Sequence, residues 1–282
     1  MSISRSPNKL SSSAAAVAVA GKSVVSLLLL PIYLLLQILF LGYVRVFEQL
    51  FKLTKDGRAR FFPPEIYPWT STLQDNWSKI RSELDAQLDS LDSAPNYQDV
   101  APRQRPLTQD DKWKAVVFRV MGQPIEENLR AYPETAESIE SIPGLVYAML
   151  SALKPGMEIA PHRGTYAGIL NCHLALRVPK ESEECGIRVG GEVRHWEEGR
   201  MLVFNDRYTH DAWNHSDEIR VVLIMYVVRP LPFPLSSMNR ATIWWSQLRR
   251  GGEIERIRKL ANDGGKKGGE GGPQQAPAAS PG

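Results

Sequence analysis

Two short histidine segments and one arginine hold the chemistry most legible in this chain. They are Pro161-His162-Arg163-Gly164, Tyr208-Thr209-His210-Asp211, and Arg220, which lies in an apolar run about ten residues past the second histidine. Imidazole nitrogens bind first-row divalent metals, and open positions on such a metal accept a small chelating cosubstrate and O2. A buried guanidinium presents a planar fork of donors that matches a carboxylate two oxygens at a time. Widely spaced histidines on strands, followed by such an arginine, are what an iron site with a dicarboxylate cosubstrate requires.

Five histidines are present: His162, His173, His195, His210 and His215. His215 lies in Asn214-His215-Ser216-Asp217, which reads as an exposed turn, and His195 lies in a hairpin strand, also at the surface. His162, His173 and His210 sit in apolar strand contexts, where a polar ring needs a partner. The usual iron-oxygenase face has two imidazoles and one carboxylate, written His-x-Asp or His-x-Glu with a distant second histidine. Here the residue two past His162 is Gly164, and two past His173 it is Ala175. By spacing alone, no carboxylate completes the face.

The elements that must position these residues follow from hydrophobic periodicity. Thr72 opens a helix whose apolar positions Leu73, Trp77, Ile80, Leu84, Leu88 and Leu91 step by three and four. Thr72 and Asp75 form a weak capping-box variant, and Trp77 belongs to the core. Residues 95–115 are polar and contain proline, which predicts a long loop. Pro133 to Ser141 reads as a short helix. From Leu145 the pattern turns to short strands, at 146–153, 169–177, 187–189, 192–196, 201–204 and 219–228. Pro155-Gly156, Gly190-Gly191 and Glu198-Gly199 supply turns. Closely spaced short strands predict a barrel or jelly roll backed by helices.

Within this region the ordered set Pro161-His162-x-Gly164, His173-Leu174-x-Leu176, Trp196-Glu197-Glu198-Gly199, His210-Asp211-x-Trp213 and Arg220 resembles the aspartyl/asparaginyl β-hydroxylase family, over roughly Phe61 to Pro230. The resemblance implies a mainly β fold with flanking helices, a double-stranded β-helix of the jelly-roll or cupin-like kind. It implies an Fe(II)- and 2-oxoglutarate-dependent dioxygenase that uses O2 and hydroxylates a C–H bond. The family has glycine where the third ligand would stand, so Gly164 is expected. Carried over by position, His162 and His210 are the iron ligands. His173 contacts the metal-side end of 2-oxoglutarate, Arg220 binds its distal carboxylate, and Ser151 is a further cosubstrate contact. Asp206 matches a family aspartate placed to hold water where the third ligand would sit; a loop-capping aspartate is the alternative.

The substrate is less legible. The animal peptide hydroxylases of this family carry two arginines for an acidic substrate side chain, and the corresponding positions here are Ile169 and Asn171. A membrane-anchored branch that hydroxylates acyl chains of bacterial lipids has a local pattern similar to His162–Gly168. An acyl chain of a membrane lipid is therefore the expected target, with peptidyl aspartate or asparagine hydroxylation as the alternative. A membrane-anchored binding module without catalysis is a rival from another class. A zinc hydrolase would want three strong protein ligands and a general base, a set not seen here.

Ser23 to Val44 contains no charged residue. As a helix it would span about 33 Å, against a bilayer core of about 30 Å. A signal peptide would have a shorter apolar region and a small-x-small site after it, so a single membrane-spanning anchor at 23–44 is expected. Residues 1–22 read as disordered, 45–60 as a basic juxtamembrane linker, and 61–234 as the dioxygenase domain. Residues 235–250 read as a helix that either lies in the membrane interface through Trp244 and Trp245 or covers the barrel edge. The Gly-, Pro- and Lys-rich segment 251–282 reads as disordered. Basic residues after the span lean toward a cytoplasmic catalytic domain.

The 282-residue chain carries a net charge of +3, too weak for a nucleic-acid binder. Its two cysteines, Cys172 and Cys185, make no disulfide framework.

Overall fold

The computed structural model describes residues 10–108, 110–248, 252 and 254–260. The chain divides into two compact units, Met1–Leu50 and Phe51–Gly282. One helix runs from Leu10 to Leu53, so all but its last three residues belong to the first unit. Its segment Leu30–Leu53, with a mean hydropathy of 1.8, is long and apolar enough to cross a membrane. Large apolar side chains such as Ile38 and Leu39 are exposed along it, as befits a surface facing lipid rather than water. The helix is longer than the 23–44 span expected. It takes in residues 10–22, because that Ala-rich stretch has no proline and good helix formers, and it takes in the first part of the expected 45–60 linker.

Among the described residues, eleven strands build the second unit: β1 (Phe61–Phe62), β2 (Trp113–Val120), β3 (Gln123–Pro124), β4 (Leu145–Leu153), β5 (Met157–His162), β6 (Ile169–Arg177), β7 (Cys185–Val189), β8 (Glu192–His195), β9 (Met201–Phe204), β10 (His210–Asn214) and β11 (Arg220–Val228). They form a seven-stranded sheet in the order β1-β9-β6-β11-β4-β2-β3 and a four-stranded sheet in the order β5-β10-β7-β8. Every pairing in both sheets is antiparallel. Two packed antiparallel sheets make the expected jelly roll.

The central strands β4, β6 and β11 are buried on both faces, so they read as apolar runs rather than alternations. Their two faces feed two cores. Even-numbered positions of β4 and β6 (Ala148, Leu150, Leu170, Leu174) join odd-numbered positions of β11 (Val221, Leu223) under the helices. The opposite faces (Met149, Leu153, Ala175, Val222, Ile224) look between the sheets toward Ile187 and Val189.

The expected helix from Thr72 is three short ones, Trp69–Asp75, Trp77–Ala86 and Leu88–Asp92, broken at Asn76 and Gln87. Its apolar face is as predicted: Leu73, Ile80, Leu84 and Leu91 are all buried in the first core. Trp77 packs there half-buried and donates from Nε1 to the Ala175 carbonyl at 2.9 Å. The Thr72 and Asp75 cap does not form, because the helix begins at Trp69.

The expected loop over 95–115 contains a helical turn at Tyr97–Val100, a 3-10 segment at Pro102–Leu107 and the start of β2. Trp113, Ala115 and Val117 alternate inward, which is the period of a half-buried strand.

The tail differs from expectation as well. Residues 254–260 are helical, and Ile257 is buried in the inter-sheet core with Ile254 and Leu260 packed beside it. Three apolar residues at intervals of three give this segment a face to bury despite its polar surroundings. Residues 261–282 lie outside the described residues.

Candidate functional site

His162 ends β5 and His210 begins β10, and the two are direct cross-strand partners in the four-stranded sheet. Side chains of opposed residues on neighbouring strands share one face, so the register itself brings the rings together. Their centroids lie 4.1 Å apart at an interplanar angle of 53°. His162 Nδ1 lies 2.9 Å from the Ala160 carbonyl oxygen, and His210 Nδ1 lies 3.0 Å from that of Tyr208. A carbonyl can only accept, so each Nδ1 carries the proton and each Nε2 keeps its lone pair. Burial also disfavours the charged ring. It lowers His162 below the ordinary histidine range, and it lowers His210, with help from His162, to about 4. Two neutral imidazoles side by side are a ready pair of metal ligands.

Gly164 and Asp206 explain how the third position is arranged. A Cβ built on Gly164 would fall onto the Asp206 carboxylate. That carboxylate thus fills the space of the missing side chain two residues past His162. Backbone bonds fix the arrangement: Gly164 N–H donates to the Asp206 carbonyl at 2.8 Å, and Arg207 Nη1 donates to the Gly164 carbonyl at 2.6 Å. Asp206 Oδ1 is buried with no protein partner, and burial raises the carboxyl to about 6 against the pull of Arg229 and Arg207. Among the described residues, no group of three histidine, cysteine or carboxylate side chains gathers as metal ligands.

From the pair, a row of rings leads inward. Phe204 meets His210 edge-on at 5.5 Å and His173 edge-on at 5.1 Å; His173 stacks with Trp196 at 6.0 Å and 15°. The Arg220 guanidinium lies over Trp196, 4.6 Å from its centroid. His173 does not join the pair. It projects from β6 into the inter-sheet space, 6% exposed, with neither ring nitrogen bonded. Burial, Arg220 and His210 all push it toward the neutral form.

Arg220 is 1% exposed, and its Nε and Nη1 have no partner. No carboxylate among the described residues pairs with it, and burial lowers it to about 10. A buried cation left without an anion is costly. The cost marks a place built to receive one. Ser151 lies near this end of the space: its register partner is Val222, two residues from Arg220, and its Oγ accepts from Trp113 Nε1 at 3.0 Å.

The structure therefore gathers His162, His210 and Asp206 at one end of the inter-sheet space, and His173, Ser151 and Arg220 along it. His195 and His215 are exposed and stand apart, as expected; His215 Nε2 lies 2.7 Å from Glu158 Oε1. Trp196, Phe204 and Trp113 were missed as site residues. Trp196 and Phe204 lie inside recognised segments, but nothing in their spacing says they line up between His210, His173 and Arg220. Trp113 was lost with its strand.

Two consequences can be measured here. Gly164→Ala should lower the melting temperature and turnover together, because the new methyl and the Asp206 carboxylate compete for one space; adding Asp206→Ala should restore the melting temperature but not turnover. Additive losses in the double-mutant cycle would refute the contact. In the metal-free protein, stability should fall as pH drops from about 6.5 toward 4. The unfolded histidines take up protons in that window while the desolvated rings of His162, His173 and His210 resist them. Asp206, raised to about 6, works in the opposite direction between its unfolded value and 6, so it offsets part of the loss. Thermal melts across this range check the sign.

A family model described as aspartyl/asparaginyl beta-hydroxylase matches residues 74–230. The ornithine lipid ester-linked acyl 2-hydroxylase of Rhizobium tropici is 37% identical over 190 residues, 67% of this chain and 68% of that protein. The aspartyl/asparaginyl beta-hydroxylase of Homo sapiens is 29% identical over 164 residues, 56% of this chain but only 21% of that protein. Among solved structures, a cupin domain of a transcriptional regulator from Enterobacter cloacae aligns with 42% of this chain and 99% of its own, at 14% identity and a TM-score of 0.29. A likeness that low carries no argument about function.

Proposed function

From the premise that this chain belongs to the aspartyl/asparaginyl β-hydroxylase family and is a hydroxylase, we propose that it is an Fe(II)- and 2-oxoglutarate-dependent dioxygenase acting on an acyl chain of a membrane lipid. The observation that carries the cosubstrate is Arg220. A guanidinium buried without an anion, on the same inter-sheet space as a pair of neutral histidines, suits a dicarboxylate that reaches a metal with one end and a cation with the other.

In this reading His162 and His210 hold Fe(II) through Nε2, and bound iron with 2-oxoglutarate supplies the oxidation of a C–H bond by O2. The protein's own residues do the rest. Arg220 clamps the distal carboxylate, with Ser151 beside it. His173, neutral and without a partner in the protein, offers a donor to the metal-side end. Asp206 occupies the space beside Gly164 and orders water there. Phe204 and Trp196 wall the row and keep bulk water from the oxidant.

Three features favour a lipid. Neither Ile169 nor Asn171 brings a cation for an acidic side chain. The Leu30–Leu53 segment suits a membrane anchor. The Rhizobium tropici relative is named for an acyl 2-hydroxylase and is matched along most of its length.

Succinate release by the anchored protein with Fe(II), 2-oxoglutarate and O2 is the test, with membrane lipid extract compared against an Asp-containing peptide. Lipid-stimulated turnover and a lipid product heavier by one oxygen are expected. Stimulation by the peptide alone would overturn the lipid assignment, and silence with both would count against turnover itself.

A further inference from the structure

A second feature of the catalytic unit concerns how it meets the bilayer. The helix Leu235–Leu248 buries Leu235, Asn239, Thr242 and Ile243 and turns Ser237, Arg240, Ala241 and Trp244 outward. Steps of three and four place those outward residues on one stripe. Phe233, one turn ahead of Ser237, is 83% exposed, and Trp244 is 59% exposed. Two large aromatic groups thus stand uncovered at the ends of a stripe with an exposed arginine between them.

Within the same unit, the helix of the stripe shares a buried residue with the segment that begins at Phe51. Arg229 lies buried with its guanidinium between the Phe51 ring at 4.7 Å and the Phe62 ring at 4.9 Å. Its carbonyl accepts from Asn239 Nδ2, on the buried side of the same helix. One residue therefore seats both the segment beginning at Phe51 and the helix carrying Trp244. That segment exposes Lys52, Leu53 and Lys55.

Aromatic side chains interleaved with cations suit the headgroup zone of an anionic bilayer. Indole rings settle there, and nearby cations are drawn to the negative surface. We infer that Phe233, Arg240 and Trp244 form a second membrane contact, carried by the catalytic unit itself.

The contact also reaches the site. Asn239 Nδ2 donates to the Gly168 carbonyl at 2.8 Å, and a Cβ on Gly168 would collide with Asn239 Oδ1. The loop that follows His162 is thus fastened to the helix that would lie on lipid. The inference rests on Leu30–Leu53 being a membrane anchor and is independent of which molecule is hydroxylated.

The test uses the full chain reconstituted in vesicles of phosphatidylcholine and phosphatidylglycerol. Single cysteines at Phe233, Trp244 or Val193 are coupled to a fluorophore; Val193 is an exposed apolar residue of β8 and serves as reference, and the native Cys172 and Cys185 are buried. Nitroxide-bearing lipid should quench positions 233 and 244 several-fold more than 193, a soluble quencher should do the reverse, and Arg240→Glu should weaken the lipid quenching. Equal access of the soluble quencher to all three positions would overturn the contact. So would shielding of 233 and 244 from both quenchers, which would mean a protein covers the stripe. Neither readout depends on turnover, so failure here is distinct from failure of the lipid-substrate assignment.

Discussion

His210→Ala is expected to leave a folded protein with no measurable turnover. The side chain is 6% exposed and touches His162 and Phe204, so its removal costs packing of about 1–3 kcal/mol, a loss most domains survive. Part of that cost is returned at mildly acidic pH, because a buried ring held near a pKa of 4 is a liability there. The chemical cost has no such offset. With one imidazole of two gone, the iron would keep a single protein ligand. Loss of an outer partner of a ligand already costs about ten- to a hundredfold in metal affinity or activity, and loss of the ligand itself should exceed that. Purified His210→Ala protein should show an unchanged circular dichroism spectrum, weaker Fe(II) binding and no succinate. Normal turnover would remove His210 from the ligand set.

Arg220→Met is expected to move stability and cosubstrate binding in opposite directions. The empty protein carries a buried guanidinium with two unbonded nitrogens, and replacing an uncompensated buried charge with an apolar chain of similar reach is stabilising or neutral. The melting temperature without cosubstrate should therefore rise or hold. Truncating one partner of a buried charge pair costs about 2–5 kcal/mol of binding, so affinity for 2-oxoglutarate should fall by roughly a hundredfold or more, while Fe(II) binding stays near normal. Calorimetric titration and thermal melts give both numbers from one preparation. A variant that melts lower and binds 2-oxoglutarate normally would show that Arg220 is a structural cation.

The strands that proved easiest to read were those buried on both faces. Ile169–Arg177 and Met201–Phe204 have the predicted bounds, and β4 and β11 differ by one residue each. Their continuous apolar runs are bounded by glycine, proline or polar turn residues, so composition alone marks them. Two of the elements that were missed, β5 and β10, are short or interrupted. β5 contains Pro161, which argues against a strand, and it survives because it pairs only with β10 in its sheet. β10 is five residues long, with polar residues at both ends. These two carry His162 and His210, so the strands bearing the site were the least legible part of the barrel.

Residue types survived where geometry did not. Histidine, glycine and arginine at the right places pointed to the chemistry. The aromatic row from Phe204 through Trp196 to Arg220 depends on which faces meet across two sheets, a relation between positions far apart in the chain. The helix at residues 254–260 was lost to its surroundings, since glycine and lysine on either side hide a short apolar face.

The facing of His162 and His210 across β5 and β10 has an evolutionary reading. The site depends on strand register, and the length of chain between the two histidines does not enter. Loops in that interval can lengthen, shorten or change composition without moving either ring, provided the ladder keeps its alignment. A slip of one residue would turn one of the rings to the far side of the sheet. Changes confined to the connections would leave both rings facing each other, whereas a change in the ladder would part them.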